Sequence, residues 1–290
     1  MKNKKLEIVC DGDSWTFGSE LADPILVEKF GGPMIHPGTY DYFQENDSYR
    51  IPKIWSTFLE SELDATCYNI SWPADDNKTI LNRTIDYVIS NYLVPKRDTS
   101  NLIVIVGWSS PERNSFWYKD DKINYHFRLT PNVPHFNTKG QEDFWKLYVE
   151  YYWNKEEYIP RFIMNVLQLQ TFCEANNIKW MCYNSFYQIK DKNVQDWVDL
   201  SIKDELNGMI TLGYIQTTSN GYRKSISTDY VKSWNLVNPI NFYKKDENNN
   251  TFRTFIMKNC NDPFVGWHPS EEGHKAWAKE LARYITENIL

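Results

Sequence analysis

The sequence predicts a three-layer α/β/α fold, with a central parallel sheet between two layers of helices. Short apolar runs rich in strand-forming residues alternate with longer segments of helical periodicity, and this alternation favours parallel strands joined by right-handed crossovers. Four such runs lie at 6–10, 65–68, 101–106 and 179–183. We expect a fifth strand within 254–258, which gives a sheet of about five strands.

Helical periodicity fills much of the chain between the expected strands. Segments 54–63, 78–93 and 144–177 carry apolar residues at helical spacing, and Pro160 interrupts the last of them. Segment 275–290 has the pattern of a closing helix. Ser270 is its expected N-cap, because serine accepts a hydrogen bond from the first turn of a helix.

Length and charge favour one decorated domain with no nucleic-acid partner. A chain of 290 residues can bury a full core, so we expect a single domain over 1–290 with large loop insertions at 21–50, 111–140 and 184–255. The net charge is −6, with acidic and basic residues interspersed, which argues against binding a phosphate backbone. No apolar stretch approaches the length of a membrane span or a signal segment, so we expect synthesis in a cytoplasm and no membrane association.

The pattern of histidine, cysteine and glycine gives no support for a metal or cofactor site. The five histidines lack the His-Glu-x-x-His spacing of zinc enzymes, and the usual glycine-rich nucleotide loops are absent. We therefore expect neither a metal nor a cofactor. The five cysteines are an odd number without paired spacing, which favours buried free thiols. We expect His274 to pack within the last helix and to take no part in catalysis.

A candidate nucleophile follows the first expected strand. That strand stops at Asp11-Gly12-Asp13-Ser14, which places Ser14 on a tight turn before a helix-like stretch. Gly12 has no Cβ to crowd such a turn, and a backbone N–H near a helix N-terminus stabilises negative charge. Gly-Asp-Ser is also an ordinary turn tripeptide, so the interpretation depends on a partner base elsewhere in the chain.

The partner base is His268, which lies on a loop before the closing helix, in Asp262-Pro-Phe-Val-Gly-Trp-His268-Pro. With these two blocks the sequence resembles the SGNH (GDSL-like) hydrolase superfamily. In that family a Gly-Asp-Ser near the N-terminus carries the nucleophile, and a late Asp-x-x-His-Pro carries the base. Val265 stands where the family has its acid, so we expect Asp262, the nearest preceding carboxylate, to orient His268. A turn-capping role for Asp262 is the alternative.

The two middle blocks of the family are present in altered form. Asn69-Ile-Ser71-Trp-Pro-Ala74 resembles the family's Asn-x-Gly-x-x-Gly, with Ser71 and Ala74 in place of the glycines. Gly107-Trp-Ser109-Ser110 resembles Gly-x-Asn-Asp, with Ser109 in place of the asparagine. By this resemblance, the N–H groups of Ser14 and Ser71, together with Ser109, would hold the oxyanion.

Two further residues are candidates for contacts at the site. Asn77 is an alternative oxyanion donor if Ser109 does not serve. Arg113, near the third strand, is a candidate to bind an acidic group of the substrate, and a solvated surface position is the alternative for it.

The resemblance implies a flavodoxin-like strand order and hydrolysis of an ester by a serine nucleophile. Ser14 would attack the acyl carbonyl, and His268 would take its proton and return it to the leaving alcohol. Ligands of such sheets bind beyond the carboxyl ends of the strands. Aromatic residues make up 16% of the chain. Aromatic loops near a cleft stack on sugar rings, so the expected substrate is an O-acetyl group on a carbohydrate, while packing in the core is the alternative for most of these rings.

Two other functions stay open on the sequence. The altered middle blocks would also fit a glycan-binding or virion structural protein that kept the fold and lost the reaction. An O-acyltransferase would use the same acyl-enzyme with a sugar hydroxyl as acceptor. The segments 107–111 and 268–274 also resemble those of SGNH-type proteins of tailed phages, which implies a host surface glycan as substrate and other virion proteins as partners.

Overall fold

The computed structural model of the protein describes residues 5–30, 40–111, 113–119, 124–129, 138–151, 155–185, 233–244 and 251–290. Much of the expected insertion at 184–255, and parts of those at 21–50 and 111–140, therefore lie outside the described residues.

Eight strands are defined in the described part of the chain. They are β1 (Leu6–Asp11), β2 (Ala65–Asn69), β3 (Leu102–Trp108), β4 (Asn114–Lys119), β5 (Asn124–Leu129), β6 (Lys179–Asn184), β7 (Phe264–Val265) and β8 (His268–Pro269). Four of them form the central sheet in the order β2-β1-β3-β6, and all of its pairs are parallel. This is the order of the first four strands of a flavodoxin-like sheet, so the predicted fold class is confirmed.

Helices separate the strands of the sheet along the chain. They are α1 (Ser14–Phe17), α2 (Pro24–Phe30), α3 (Tyr40–Arg50), α4 (Trp55–Leu63), α5 (Asn77–Val88), α6 (Lys139–Tyr151), α7 (Lys155–Ala175), α8 (Phe252–Asn259) and α9 (Glu271–Asn288). A 3₁₀ turn at Ile51–Lys53 precedes α4, and a π turn at Ile89–Leu93 extends α5.

Side chains alternate between the two faces of the sheet, and each face packs against its own layer of helices. On one face Val9, Val104 and Cys182 pack against α5 and α7. On the other face, neighbouring positions of the same three strands, such as Ile8 and Ile105, pack against α4, α8 and α9. These two cores make the three layers that the alternation of strands and helices predicts.

The expected fifth strand at 254–258 is wrong, because those residues lie within α8. The side chains of Thr251 and Thr254 cap each other's backbone N–H groups at the start of this helix, and Phe252 and Ile256 share its buried face. The fifth position of the sheet, beside β6, is taken by Phe242, which makes a single parallel bridge to Cys182.

Two other segments differ from the prediction. The stretch 21–50, which we expect to be irregular, contains α2 and α3 in its described part. The long helical pattern of 144–177 is divided between α6 and α7, and Pro160 lies inside α7 rather than at a break. Pro160 is the sixth residue of α7, so it removes one hydrogen bond of the helix and its ring crowds the carbonyl of residue 156, and the helix continues through it.

The closing helix and the cysteines agree with the sequence interpretation. Ser270 caps α9, since its Oγ accepts the N–H of Gly273 at 3.1 Å. All five cysteines are free thiols, as expected, but only Cys10, Cys173 and Cys182 are buried, whereas Cys67 and Cys260 are half-buried. Among the described helices, none has both the length and the apolar character needed to cross a bilayer.

Candidate active site

Ser14 is the first residue of α1, at the carboxyl end of β1. Asp13 caps this short helix, and its Oδ1 accepts the N–H of Trp15 at 3.0 Å. A Cβ on Gly12 would lie 2.9 Å from the carbonyl oxygen of Gly107, so only glycine lets the turn approach the end of β3 this closely. Ser14 is buried, at 6% exposed. Within the described part of the chain, neither its Oγ nor its backbone N–H makes a hydrogen bond.

His268 lies opposite Val265 in the small β7–β8 hairpin, and its partner is Glu20. Nδ1 of His268 lies 3.1 Å from Oε2 of Glu20, which is ion-pair distance, although its N–H does not point along the line between the two atoms. The same Oε2 accepts the backbone N–H groups of Trp267 at 2.6 Å and His268 at 3.2 Å. Glu20 therefore fixes both the histidine ring and the loop that carries it.

Glu20 is held as a buried carboxylate in an unusual backbone conformation. Its φ is 68°, in the left-handed region that costs a side-chain-bearing residue free energy, and its side chain is only 3% exposed. Burial alone would raise the pKa of Glu20. The adjacent His268 side chain, with the N–H groups of Trp267 and His268, outweighs burial and lowers that pKa. The group is thus ionised at neutral pH.

The hairpin that carries His268 packs directly against the helix that starts at Ser14. Residues of α1 contact β8, and the ring of Trp15 lies 6.5 Å from that of His268, centroid to centroid. No hydrogen bond joins Ser14 Oγ to His268 in the structure. Catalytic hydrogen bonds are often long or misaligned in a free enzyme and tighten with substrate.

Asp262 does not make the contact expected of it, since its place beside His268 is taken by Glu20. Asp262 is exposed, its N–H donates to Oε2 of Glu272 at 2.8 Å, and its carbonyl accepts the hydroxyl of Ser270. These are the contacts of a residue that shapes the turn before α9, which is the alternative role considered for Asp262. Glu20 was missed because no motif marks it in the sequence.

Ser71 lies at the end of β2 with its donors already bonded. Its N–H donates to Oδ1 of Asn69 at 3.1 Å, and its hydroxyl donates to the same oxygen at 2.5 Å. Asn69 in turn donates its Nδ2 to the carbonyl of Thr16 at 3.0 Å, which ties the end of β2 to α1. Ala74, which stands in place of a glycine in the block that this segment resembles, has a φ of 62°, in the left-handed region that favours glycine.

Ser109 and Asn77 are joined to each other and not to Ser14. The amide of Asn77 accepts the N–H of Ser109 at 2.7 Å and donates to its carbonyl at 3.2 Å. The hydroxyl of Ser109, fully buried, donates to Oδ2 of Asp13 at 2.8 Å. Both side chains therefore position the loop after β3, and the hydroxyl proton of Ser109 is engaged by Asp13.

Arg113 lies at the site and is partly buried. Its Nη1 donates to Oδ2 of Asp13 at 3.1 Å and to Oγ of Ser109 at 2.8 Å. Nη2 of Arg161 holds the backbone of this loop through the carbonyls of Pro111 and Arg113. The guanidinium thus balances the charge of a carboxylate that immediately precedes Ser14.

Residues 42–195, more than half of the chain, match the family of unknown function DUF6071. The chain belongs to this family. The part of this DUF6071 protein that matches includes β2, α5 and β3, whereas Ser14, Glu20 and His268 lie outside the matched range. No curated protein sequence gives a match.

Solved structures similar to this DUF6071 protein include lipolytic and carbohydrate esterase proteins. One is described as a lipolytic protein of the G-D-S-L family from Desulfitobacterium hafniense DCB-2 (13% identity, TM-score 0.41, 97% of this chain and 99% of that chain). Another is a carbohydrate esterase family 2 enzyme with a carbohydrate-binding domain from Corynascus thermopiles (Myceliophthora fergusii) (11%, 0.45, 99% and 68%). A third is a carbohydrate esterase whose active site has divergent catalytic and non-catalytic binding functions (11%, 0.43, 99% and 66%). Likenesses this weak do not bear on the reaction of the DUF6071 chain.

A second carboxylate network in the DUF6071 protein is centred on Asp11 and holds the end of β1, just before the turn to Ser14. Asp11 is fully buried, and its carboxylate accepts Nη2 of Arg83 at 2.5 Å and the hydroxyl of Thr84 at 2.8 Å. Burial raises the pKa of Asp11 to about 6, and the hydrogen bonds from Arg83 and Thr84 limit that rise. Arg83 also pairs with Asp75 and so joins the start of α5 to the end of β1.

His274 packs inside the protein, as expected. It is fully buried in the first turn of α9, and its Nδ1 accepts the N–H of Trp55 at 3.2 Å. Burial, with smaller contributions from nearby His268 and Arg50, lowers the pKa of His274 to about 3. The ring is therefore neutral at neutral pH. No group of three or more histidine, cysteine or acidic residues in the described ranges is placed to hold a metal ion.

Proposed function

We propose that the protein is a serine ester hydrolase in which Ser14 is the nucleophile, His268 the base and Glu20 the acid that orients the base. The observation that carries this proposal is the buried contact between Glu20 and His268, on a hairpin that packs against the helix starting at Ser14. An ionised carboxylate beside a histidine, with a serine on the adjacent element, is the arrangement that acyl transfer requires.

In this mechanism Ser14 Oγ attacks the acyl carbonyl while Nε2 of His268 takes the hydroxyl proton. The carboxylate of Glu20 stabilises the imidazolium that forms and keeps the neutral ring protonated at Nδ1. His268 then gives the proton to the leaving alcohol, which leaves an acyl group on Ser14. Water activated by the same histidine attacks that ester and releases the acid and free Ser14.

The oxyanion would be held first by the backbone N–H of Ser14, which has no other partner among the described residues. The N–H of Ser71 is the second candidate. Its partner, Oδ1 of Asn69, also accepts the hydroxyl of Ser71, so that oxygen would keep one hydrogen bond if the N–H turned to the substrate. The cost of recruiting this donor is therefore small.

The substrate we propose is an O-acetyl group on a carbohydrate. Support comes from the resemblance of the sequence to the SGNH superfamily and from its high content of aromatic residues. The blocks shared with tailed-phage proteins extend the proposal to a surface glycan of a host cell, with other virion proteins as partners.

A fluorophosphonate probe and 4-nitrophenyl acetate test the proposal together. We expect the probe to label Ser14 alone, and we expect Ser14→Ala to abolish both labelling and turnover. Ser19→Ala, a change in the next turn, is the matched control and should keep both. Labelling at another serine, or turnover that survives in Ser14→Ala, would contradict the proposed nucleophile.

A binding protein without catalysis is the second candidate, and the occupied donors at the site favour it. The hydroxyl of Ser109 is bonded to Asp13 and the amide of Asn77 to the backbone, so two expected oxyanion donors are engaged in the free protein. A folded wild-type protein that binds acetylated oligosaccharides without hydrolysing them, and that the fluorophosphonate does not label, would favour this function.

A further inference from the structure

Trp267 is the most exposed large apolar side chain among the described residues, at 81%. Six other tryptophans of the described part are buried in the core, at 6% exposed or less: Trp15, Trp55, Trp108, Trp180, Trp234 and Trp277. Trp72 and Trp145 are half-buried. Burial of an aromatic side chain stabilises the folded state, and Trp267 contributes almost nothing in this way. Its ring is available to another molecule.

The backbone that carries this ring is fixed. Gly266 and Trp267 form the two-residue turn between β7 and β8, and Gly266 has a left-handed φ of 58°. The N–H of Trp267 donates to Oε2 of Glu20 at 2.6 Å, and a Cβ on Gly266 would collide with that carboxylate. Because the turn is already ordered, a ligand that packs on the indole pays little for ordering the loop.

Trp267 lies in the turn directly before His268, so its backbone is at the edge of the proposed active site. The next residue is His268, and the same carboxylate holds both backbone N–H groups. A ligand that extends from Ser14 past His268 would therefore reach the residue that carries the exposed indole. This step rests on the proposed function.

The exposed polar residues near Trp267 in the sequence favour a polar ligand over a lipid or an apolar protein surface. Asn261, Asp262, Glu271 and Glu272 are exposed on either side of the hairpin. A lipid chain or an apolar protein surface needs a contiguous apolar patch, and a single indole among polar groups does not supply one. A pyranose ring matches it, because one face of C–H groups packs on an aromatic ring while the hydroxyls stay hydrated.

We propose that Trp267 is a stacking platform for the sugar ring that carries the ester, and that it gives the site its preference for carbohydrate esters over simple ones. The contact is non-covalent and takes no part in the acyl transfer. Trp267 is thus a binding residue, beside the base but separate from the catalytic groups.

Kinetics on two substrates test this assignment. For wild type, Trp267→Ala, Trp267→Phe and Met257→Ala, kcat/KM is measured on acetylated xylo-, chito- and galacturono-oligosaccharides and on 4-nitrophenyl acetate. Met257, 55% exposed on α8, is the matched control for loss of an exposed apolar side chain. We expect Trp267→Ala to lose at least about tenfold more on its best oligosaccharide than on 4-nitrophenyl acetate, Trp267→Phe to recover part of that loss, and Met257→Ala to match wild type.

Binding to a protein that cannot react separates this inference from the proposed function. In Ser14→Ala, titration with the same oligosaccharides should quench tryptophan fluorescence, and the double variant Ser14→Ala/Trp267→Ala should lose the quenching and the affinity. If wild type has no esterase activity but binds the oligosaccharides through Trp267, the proposed function is wrong and the proposed role of Trp267 is supported. Equal loss on both substrates, or oligosaccharide affinity that is absent or independent of Trp267, overturns the platform.

Discussion

One carboxylate oxygen of Glu20 lies 3.1 Å from Nδ1 of His268 and also binds the backbone N–H of that residue, 248 positions away in the chain. Glu20 therefore contacts both the ring of His268 and the backbone of the loop that carries it. The carboxylate beside His268 therefore comes from the turn after α1 and not from the loop that carries the histidine.

We predict that Glu20→Gln lowers kcat by at least a hundredfold and changes KM little. The amide keeps the size of the side chain but cannot stabilise a positively charged imidazole, and the equivalent change costs about 10⁴-fold in a serine protease. Asp262→Asn is the control and should change kcat by less than about threefold. Steady-state kinetics on 4-nitrophenyl acetate measure both, and the opposite ranking of the two variants would restore Asp262 as the acid.

Ser109→Ala should affect stability more than turnover. Its hydroxyl donates to the buried carboxylate of Asp13, so its removal weakens the partner set of a buried charge and should cost about 1–3 kcal/mol of unfolding free energy. We expect kcat to fall by less than about tenfold. Urea denaturation and turnover on one sample check this. A loss of a hundredfold or more in kcat with unchanged stability would mean that Ser109 turns to the oxyanion during the reaction.

Replacement of His274 should flatten the dependence of stability on pH. The folded protein holds this ring neutral with a pKa of about 3, whereas the unfolded chain takes up a proton near its ordinary value of about 6.5. The unfolded state thus binds more protons between these values, and this group contributes stability that is lost as the pH falls through that range, by up to about 1.4 kcal/mol per pH unit.

His274→Asn is the variant that shows this effect, because its amide oxygen can still accept the N–H of Trp55. Denaturation midpoints at pH 7, 6 and 5 should fall more steeply for wild type than for the variant. Parallel curves would mean that His274 is protonated in the folded state.

Gly266→Ala should lower both stability and turnover. The new methyl group would collide with the carboxylate of Glu20, and a left-handed conformation costs an alanine about 1–2 kcal/mol. We expect kcat to fall by at least about tenfold, because the shift of the turn would displace His268 from Glu20. Activity equal to wild type, measured below the unfolding transition, would show that the turn can move without loss of the catalytic contact.

Much of the fold could be predicted from the sequence, because its signals are local. The runs that form β1, β2, β3 and β6 are apolar and bounded by turn residues, and their alternation with helices sets the parallel order. The prediction of a strand at 254–258 is wrong because a short apolar run fits a strand or a buried helix equally well. In the structure the cap at Thr251 favours the helix.

The candidate site could be predicted only where a motif marks a residue. Ser14 follows the first strand and His268 precedes the last helix, and both positions are marked by motifs in the sequence. The contact between α1 and β8 brings the two segments together. Glu20 was not predictable, because its role depends on a left-handed turn and on a contact with a distant hairpin. The hydrogen bond from Ser109 to Asp13 was also not predictable, because a residue pattern does not show which hydroxyl is already bonded.

Because Glu20 and His268 are far apart along the chain, formation of the site can report on whether a molecule has completed folding. We expect a contact across 248 residues to form later than the local helices, since the entropy of loop closure opposes contacts between distant parts of a chain. Reactivity of Ser14 would therefore return at the end of refolding, after the helical signal, and the labelled fraction of a sample would count the molecules that have completed the fold.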